Sequence, residues 1–151
     1  MTELLTKAEY QAIAADLDLP ATPYIDGKFR RGAGALMTTV NPADGKTLTK
    51  ISTAGPKDVD LAVKKAREAF DQGVWAKLHP SERKDVLIRL CKLMTRRRRE
   101  LAVMESLESG KPIRDCEMID VPESIHCIKW HAELIDKVYD SVSPTGDDAV
   151  S

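Results

Sequence analysis

RRRELAVMESLESGKPIRD, residues 97–115, carries a Gly110-Lys111 step that admits two incompatible readings. A glycine followed by lysine suggests a loop that cradles phosphate. A phosphate loop needs a second glycine five residues before the final Gly-Lys, and a Ser or Thr after the lysine. Here those positions are Glu105 and Pro112, and the segment follows a helix pattern rather than a strand. Leu101, Val103, Met104 and Leu107 recur at helical spacing up to the glycine. Gly just past a helix end, with Pro soon after, is a common helix stop. The residues therefore describe a turn between helices, with Lys111 holding no nucleotide.

Helical periodicity extends on both sides of that turn. Upstream, Val86, Leu87, Leu90, Leu93 and Met94 continue a helix entered at Pro80, with a bend or break expected near Thr95. Glu82 favours the positive end of its dipole. Earlier still, Val59, Ala62, Val63, Ala66 and Phe70 form one stripe ending at Gly73. Downstream, Ile125, Ile128, Ala132, Ile135 and Val138 mark a helical region over about 113–139, which Pro122 should interrupt or restart. Between residues 24 and 54 the pattern changes to short β-branched runs broken by Asp26-Gly27, Asn41-Pro42 and Asp44-Gly45, which predicts hairpins. A short amphipathic helix is expected over 3–16, and Pro20 and Pro23 make an extended linker after it. No run reads as a buried parallel strand, which would be continuous Val, Ile and Leu. The helices look like covers for a sheet that this chain does not contain.

The chain has 151 residues, 31% charged and 42% hydrophobic, with Lys plus Arg 23 against Asp plus Glu 24. Such a balance suits one soluble globular unit and gives no overall field toward nucleic acid or a membrane surface. No apolar run approaches a transmembrane span, and the N-terminus lacks the apolar centre of an export signal. Cys91, Cys116 and Cys127 are then expected to stay reduced in the cytoplasm.

Four features invite chemistry, and each has a plainer reading. Cys127 and His131 stand four apart on one helix, but a zinc site wants two more ligands at matching spacing. Cys91, between Leu90 and Leu93, reads as a small buried hydrophobe. Arg96 to Arg99 point in nearly all directions around a helix, so a solvated segment balanced by Glu100 and Glu105 is favoured over a basic binding face. Trp75 and Trp130 read as packing anchors.

The ordered pieces YIDGKF, VNPADGKTLTKI, DVDLAVKKAREAFDQGVW, SERKDVLIRLCKLM, RRRELAVMESLESGKPIRD and IKWHAELIDKVY resemble the N-terminal part of the NAD(P)-dependent aldehyde dehydrogenase superfamily, over residues 20–142. KPIRD, Pro122 and IDKVY resemble the branch that oxidises γ-glutamyl-aminobutyraldehyde and related aminoaldehydes. The resemblance implies an α/β fold of which this chain holds the N-terminal part, mostly α-helical with a short β-hairpin region. It implies a helix over 1–19, hairpin strands of the oligomerisation region over 20–54, sheet-covering helices over 55–140 and a truncated tail over 141–151.

In that family a hydride passes from a thiohemiacetal to NAD or NADP, and a cysteine thioester is hydrolysed to the acid. The nucleophilic Cys, the Glu base, the oxyanion-stabilising Asn and the cofactor-binding strands lie beyond a segment like this one. Cys91, Cys116 and Cys127 do not match the nucleophile's motif, so no residue here is expected to be catalytic or cofactor-binding. The chain alone is expected to be inactive and to bind neither NAD nor NADP. An aldehyde substrate and homo-oligomers are implied for the full-length form, with association of this chain through its exposed apolar faces. The family's monovalent-cation site maps incompletely onto Thr39, Val40 and Asp120. The alternative is that Asp120 only favours the start of the next helix. His79 stands where the family has Ser, Thr or Asp, which should weaken that helix cap by about 1 kcal/mol. A non-catalytic module docking on a full-length dehydrogenase is the other reading of the chain.

Overall fold

The computed structural model describes residues 3–138. The first helix, α1, spans Lys7–Asp16 and begins later than its apolar pattern. Thr6 and Glu9 set that start through a reciprocal cap, because the Thr6 amide donates to the Glu9 carboxylate at 2.8 Å and the Glu9 amide to Thr6 Oγ1 at 3.4 Å. The expected hairpins follow. Strands β1 (Tyr24–Ile25) and β2 (Lys28–Phe29) pair antiparallel across Asp26 and Gly27, both at positive φ, as a two-residue hairpin turn requires. Strands β3 (Leu36–Val40) and β4 (Thr47–Ser52) form a second antiparallel ribbon with an irregularity between Thr39 and Val40.

The helices run in the expected order. Helix α2 (Pro56–Gln72) ends at Gly73 in the left-handed conformation. Helix α3 (Pro80–Arg96) stops at Arg97, two residues after the expected bend, and α4 (Arg98–Ser109) follows at once. Gly110, at φ 74°, closes α4. A short turn α5 (Ile113–Asp115) then leads through a π-helical stretch, Cys116–Asp120, into α6 (Val121–Leu134).

Pro122 therefore stands in the first turn of a restarted helix, one of the two expected outcomes, and the rod is continued across it rather than broken. The backbone stays right-handed from Asp115 through Val121, and the Val121 amide bonds the Cys116 carbonyl five residues back. A proline ring collides with the carbonyl four residues before it, here Met118. Widening the preceding turn to π geometry absorbs that collision without breaking the rod. The expected end of this region, Tyr139, and the tail over 141–151 lie outside the described residues.

The buried core is small. Ala102, Cys116 and Val121 meet where α4 crosses the π stretch and α6, with Leu101, Ile113 and Ile125 packed around them. Helix α6 also lies along α3, where the Cys91 thiol, buried as expected, faces the Ile125 carbonyl at 3.7 Å. The stripe of α2 points outward, with Val59, Val63 and Phe70 53%, 63% and 71% exposed. Each such side chain left in water forgoes about 1.5–3 kcal/mol of burial. The two tryptophans are not packing anchors: Trp75 and Trp130 are 43% and 53% exposed. Among the described residues no helix is long and apolar enough to cross a membrane.

Candidate functional site

The turn at Gly110 organises the polar groups around it. Helix α4 presents its C-terminal carbonyls there, so the local dipole is negative and favours a cation. Lys111 supplies one, although the sequence pattern leaves it as a bare turn residue. Its ammonium stands 2.6 Å from the Asp120 carboxylate at the end of the π stretch. The Asp120 hydrogen bond and charge raise the Lys111 pKa above the ordinary lysine value. Ser106 Oγ donates to the Lys111 carbonyl at 2.7 Å, and the Lys111 amide donates to Ser109 Oγ at 3.2 Å. A lysine held in this way is not offered to a phosphate.

The candidate cation ligands are placed as follows. Asp120, Glu105 and Glu108 line one cleft of about 260 Å³ with Met94, Met104 and Ser124. Thr39 and Val40 lie on β3, and the Thr39 hydroxyl donates to the Thr49 carbonyl at 3.3 Å. The strand end and the helix stop come together at one contact: a Cβ built on Gly110 would lie 2.8 Å from Pro42 Cγ, two residues beyond Val40. The C-terminal cap of α4 thus meets Pro42, just past the end of β3, while the Asp120 charge is already paired with Lys111. Among the described residues, no group of three or more His, Cys, Asp or Glu side chains converges as a metal site.

A second polar cluster, unforeseen in the sequence, surrounds Glu117. This carboxylate is 2% exposed and sits on the π stretch. It accepts from the Tyr10 hydroxyl at 2.6 Å and from Arg99 Nε at 3.2 Å, with Arg98 Nε at 3.8 Å. Arg99 also reaches the Glu3 carbonyl at 3.2 Å. Two of the four consecutive arginines therefore neutralise a buried acid rather than lying on a solvated face, while Arg97 pairs with Glu100 as expected. The pattern hid this because Glu117 comes from a segment eighteen residues after Arg99.

Cys91 and Cys116 are buried, and desolvation pushes the Cys116 thiol up from its ordinary value. Cys127 is exposed beside His131, at 3.7 Å from Sγ to Nδ1.

Side chains cap the N-termini of α2 and α3. The Asp58 carboxylate takes the Ala33 and Gly55 amides at 2.7 and 2.8 Å, and these bonds lower its pKa. At α3, Glu82 accepts from the His79 amide at 3.0 Å and His79 Nδ1 from the Ser81 amide at 3.3 Å. His79 thus takes part in the cap of α3, although its Nδ1 reaches the Ser81 amide only at a long distance.

Comparison with known proteins agrees with this layout of covering helices and hairpins. The model of the aldehyde dehydrogenase family matches residues 29–151. Aminoacetaldehyde dehydrogenase of Pseudomonas aeruginosa is 51% identical over the whole chain, which spans 31% of that protein's length. The crystal structure of γ-glutamyl-γ-aminobutyraldehyde dehydrogenase from Burkholderia cenocepacia superposes with a TM-score of 0.89 at 44% identity, covering 93% of this chain and 29% of that one. Indole-3-acetaldehyde dehydrogenase of P. syringae, in complex with NAD+, gives a TM-score of 0.91 at 36% identity, covering 97% of this chain and 30% of that one. The order of elements, their sequence and their fold agree, and the chain belongs to the aldehyde dehydrogenase family.

Proposed function

We propose that this chain forms the N-terminal, non-catalytic part of an NAD- or NADP-dependent enzyme that oxidises an aldehyde, of the aminoaldehyde class, to a carboxylic acid. The observation that carries the reading is 51% identity to an aminoacetaldehyde dehydrogenase over the full length of the chain. The outward apolar stripes of α2 and α3 support it, because Val63, Phe70, Leu90 and Leu93 need a covering surface. Residues 55–138 act as covers for a cofactor-domain sheet, and the 20–54 hairpins serve assembly into homo-oligomers. Leu36, Met37 and Val40 on β3, each at least half exposed, suit that second role. The three free cysteines suit a cytoplasmic setting. Thr39, Val40 and Asp120 remain an incomplete cation site that needs a further ligand.

Two measurements test the reading. The purified chain should neither bind NAD+ or NADP+ in calorimetry nor oxidise aldehydes, and measurable turnover would overturn its non-catalytic role. Replacing the corresponding segment of the Pseudomonas aminoacetaldehyde dehydrogenase with this chain should give an active enzyme that retains its preference for an aminoaldehyde. An active hybrid without that preference would remove the substrate assignment.

A further inference from the structure

We propose that the groove between α3 and α6 seats an amphipathic helix that carries carboxylates, supplied by the further length of the dehydrogenase. The inference rests on the reading above, in which the chain spans 31% of its aminoacetaldehyde relative. Lys84 Nζ donates to the Asp136 carboxylate at 2.8 Å, and the Cys91 thiol faces the Ile125 carbonyl at 3.7 Å. The two helices therefore run antiparallel, and the groove has fixed walls. Its volume is about 730 Å³, and Ile88, Cys91, Leu93 and Ile125 make an apolar floor. Arg89, Lys92, Arg96 and Lys129 stand on its rim, all exposed, and among the described residues no acidic side chain lines it.

The chemistry of the walls selects the occupant. Arg97, Arg98 and Arg99 are each paired with a carboxylate of this chain, Glu100 or Glu117, whereas Arg89, Lys92 and Arg96 pair with none among the described residues. Lys129 is partly offset by Glu133 at 3.7 Å. Cations gathered along an apolar floor attract anionic groups placed at the edges of whatever fills it. The floor offers nothing to an extended strand. The backbone groups of α3 and α6 are bonded within their helices, and the Thr95 hydroxyl already donates to the Cys91 carbonyl at 2.8 Å. A helix satisfies its own backbone and brings only side chains to such a surface. Ile88, Cys91, Lys92 and Thr95 share one face of α3 in a row about two turns long, against which the side-chain ridge of a third helix packs. The occupant is therefore apolar along one stripe, with Asp or Glu flanking that stripe toward Arg96 and Lys129.

The test compares the purified chain with the hybrid in which it replaces the corresponding segment of the Pseudomonas enzyme. Acetylation of Lys92, read by peptide mass, should be slower in the hybrid by about tenfold or more. A zero-length carbodiimide should join Lys92 to an Asp or Glu beyond residue 151 of the hybrid, a link with no counterpart in the purified chain. Arg89→Glu together with Arg96→Glu should remove that link and restore the reactivity of Lys92. The unaltered hybrid is decisive even where this variant folds poorly. Two results in an active hybrid overturn the proposal and leave the proposed function standing. One is a Lys92 as reactive as in the purified chain. The other is a link confined to residues 1–151, as a second copy in the groove would give. An inactive hybrid that still forms the link beyond residue 151 would instead strike the proposed function alone.

Discussion

The Tyr10 hydroxyl donates a 2.6 Å hydrogen bond to the carboxylate of Glu117, 107 residues further along the chain. It fastens α1, which buries none of its own residues, to the π stretch beside the core. The tie consists of few groups, so its removal has a local effect. Tyr10→Phe should lower stability by about 1.5–3 kcal/mol, the range for a hydrogen bond to a charged group. Amide exchange should rise first in α1, while the α3–α6 pair keeps its protection. Equal loosening of both regions would show that α1 is not held by this bond.

The same tyrosine predicts an alkaline weakness. Burial, and then the hydrogen bond to Glu117, raise the Tyr10 pKa above the ordinary phenol value. The folded chain therefore prefers the protonated phenol, and this contribution is complete below the unfolded-state pKa. It falls as pH rises above about 10 and is gone once pH passes the raised folded value. Thermal melts from neutral to strongly alkaline pH should show that decline in the wild type, and Tyr10→Phe should flatten it by this one group's share. An identical profile in both proteins would exclude Tyr10 as its source.

His79 predicts a gain. Its Nδ1 reaches the Ser81 amide only at 3.3 Å, near the limit for such a bond. A carboxylate or hydroxyl at this position sits closer to the first-turn amides and is favoured as a cap. His79→Asp should stabilise the chain by about 0.5–1 kcal/mol, adding a charge at the positive end of α3. Chemical denaturation reads this directly, and a loss of stability would show that the imidazole makes the better cap.

Local signals account for what was legible in the sequence. Asp26-Gly27 predicted its hairpin and Gly73 and Gly110 their helix stops, because each is dictated by backbone conformation within a few residues. The family pattern spread over residues 20–142 likewise survived comparison. What stayed hidden depends on partners far along the chain. Nothing near Arg98 and Arg99 announces Glu117, and nothing near Lys111 announces that Asp120 will take its charge. The restart at Pro122 was legible, but the π turn that carries the chain into it was not, because the rule for proline concerns the α-helix while a wider turn evades the collision. The tryptophans were misread because burial depends on the surrounding fold rather than on local sequence.

The contact between Gly110 and Pro42 gives a sharper test than either residue alone. Gly110 has a φ of 74°, and an added Cβ would stand 2.8 Å from Pro42 Cγ. Gly73 has nearly the same φ, 71°, but there the Cβ would meet the Lys77 side chain, which can swing away. Both glycine-to-alanine changes carry the left-handed backbone cost of about 1–2 kcal/mol. Gly110→Ala should lose a further 1–3 kcal/mol, roughly, from the clash with a rigid ring. Pro42→Ala removes the offending Cγ and leaves a Cβ that stands 3.5 Å away. In that background the excess cost of Gly110→Ala over Gly73→Ala should largely disappear. The double-mutant coupling, measured by denaturant unfolding, isolates the strand-to-helix contact beside the Thr39-Val40 stretch. A coupling of zero would mean that Pro42 and Gly110 do not touch in solution.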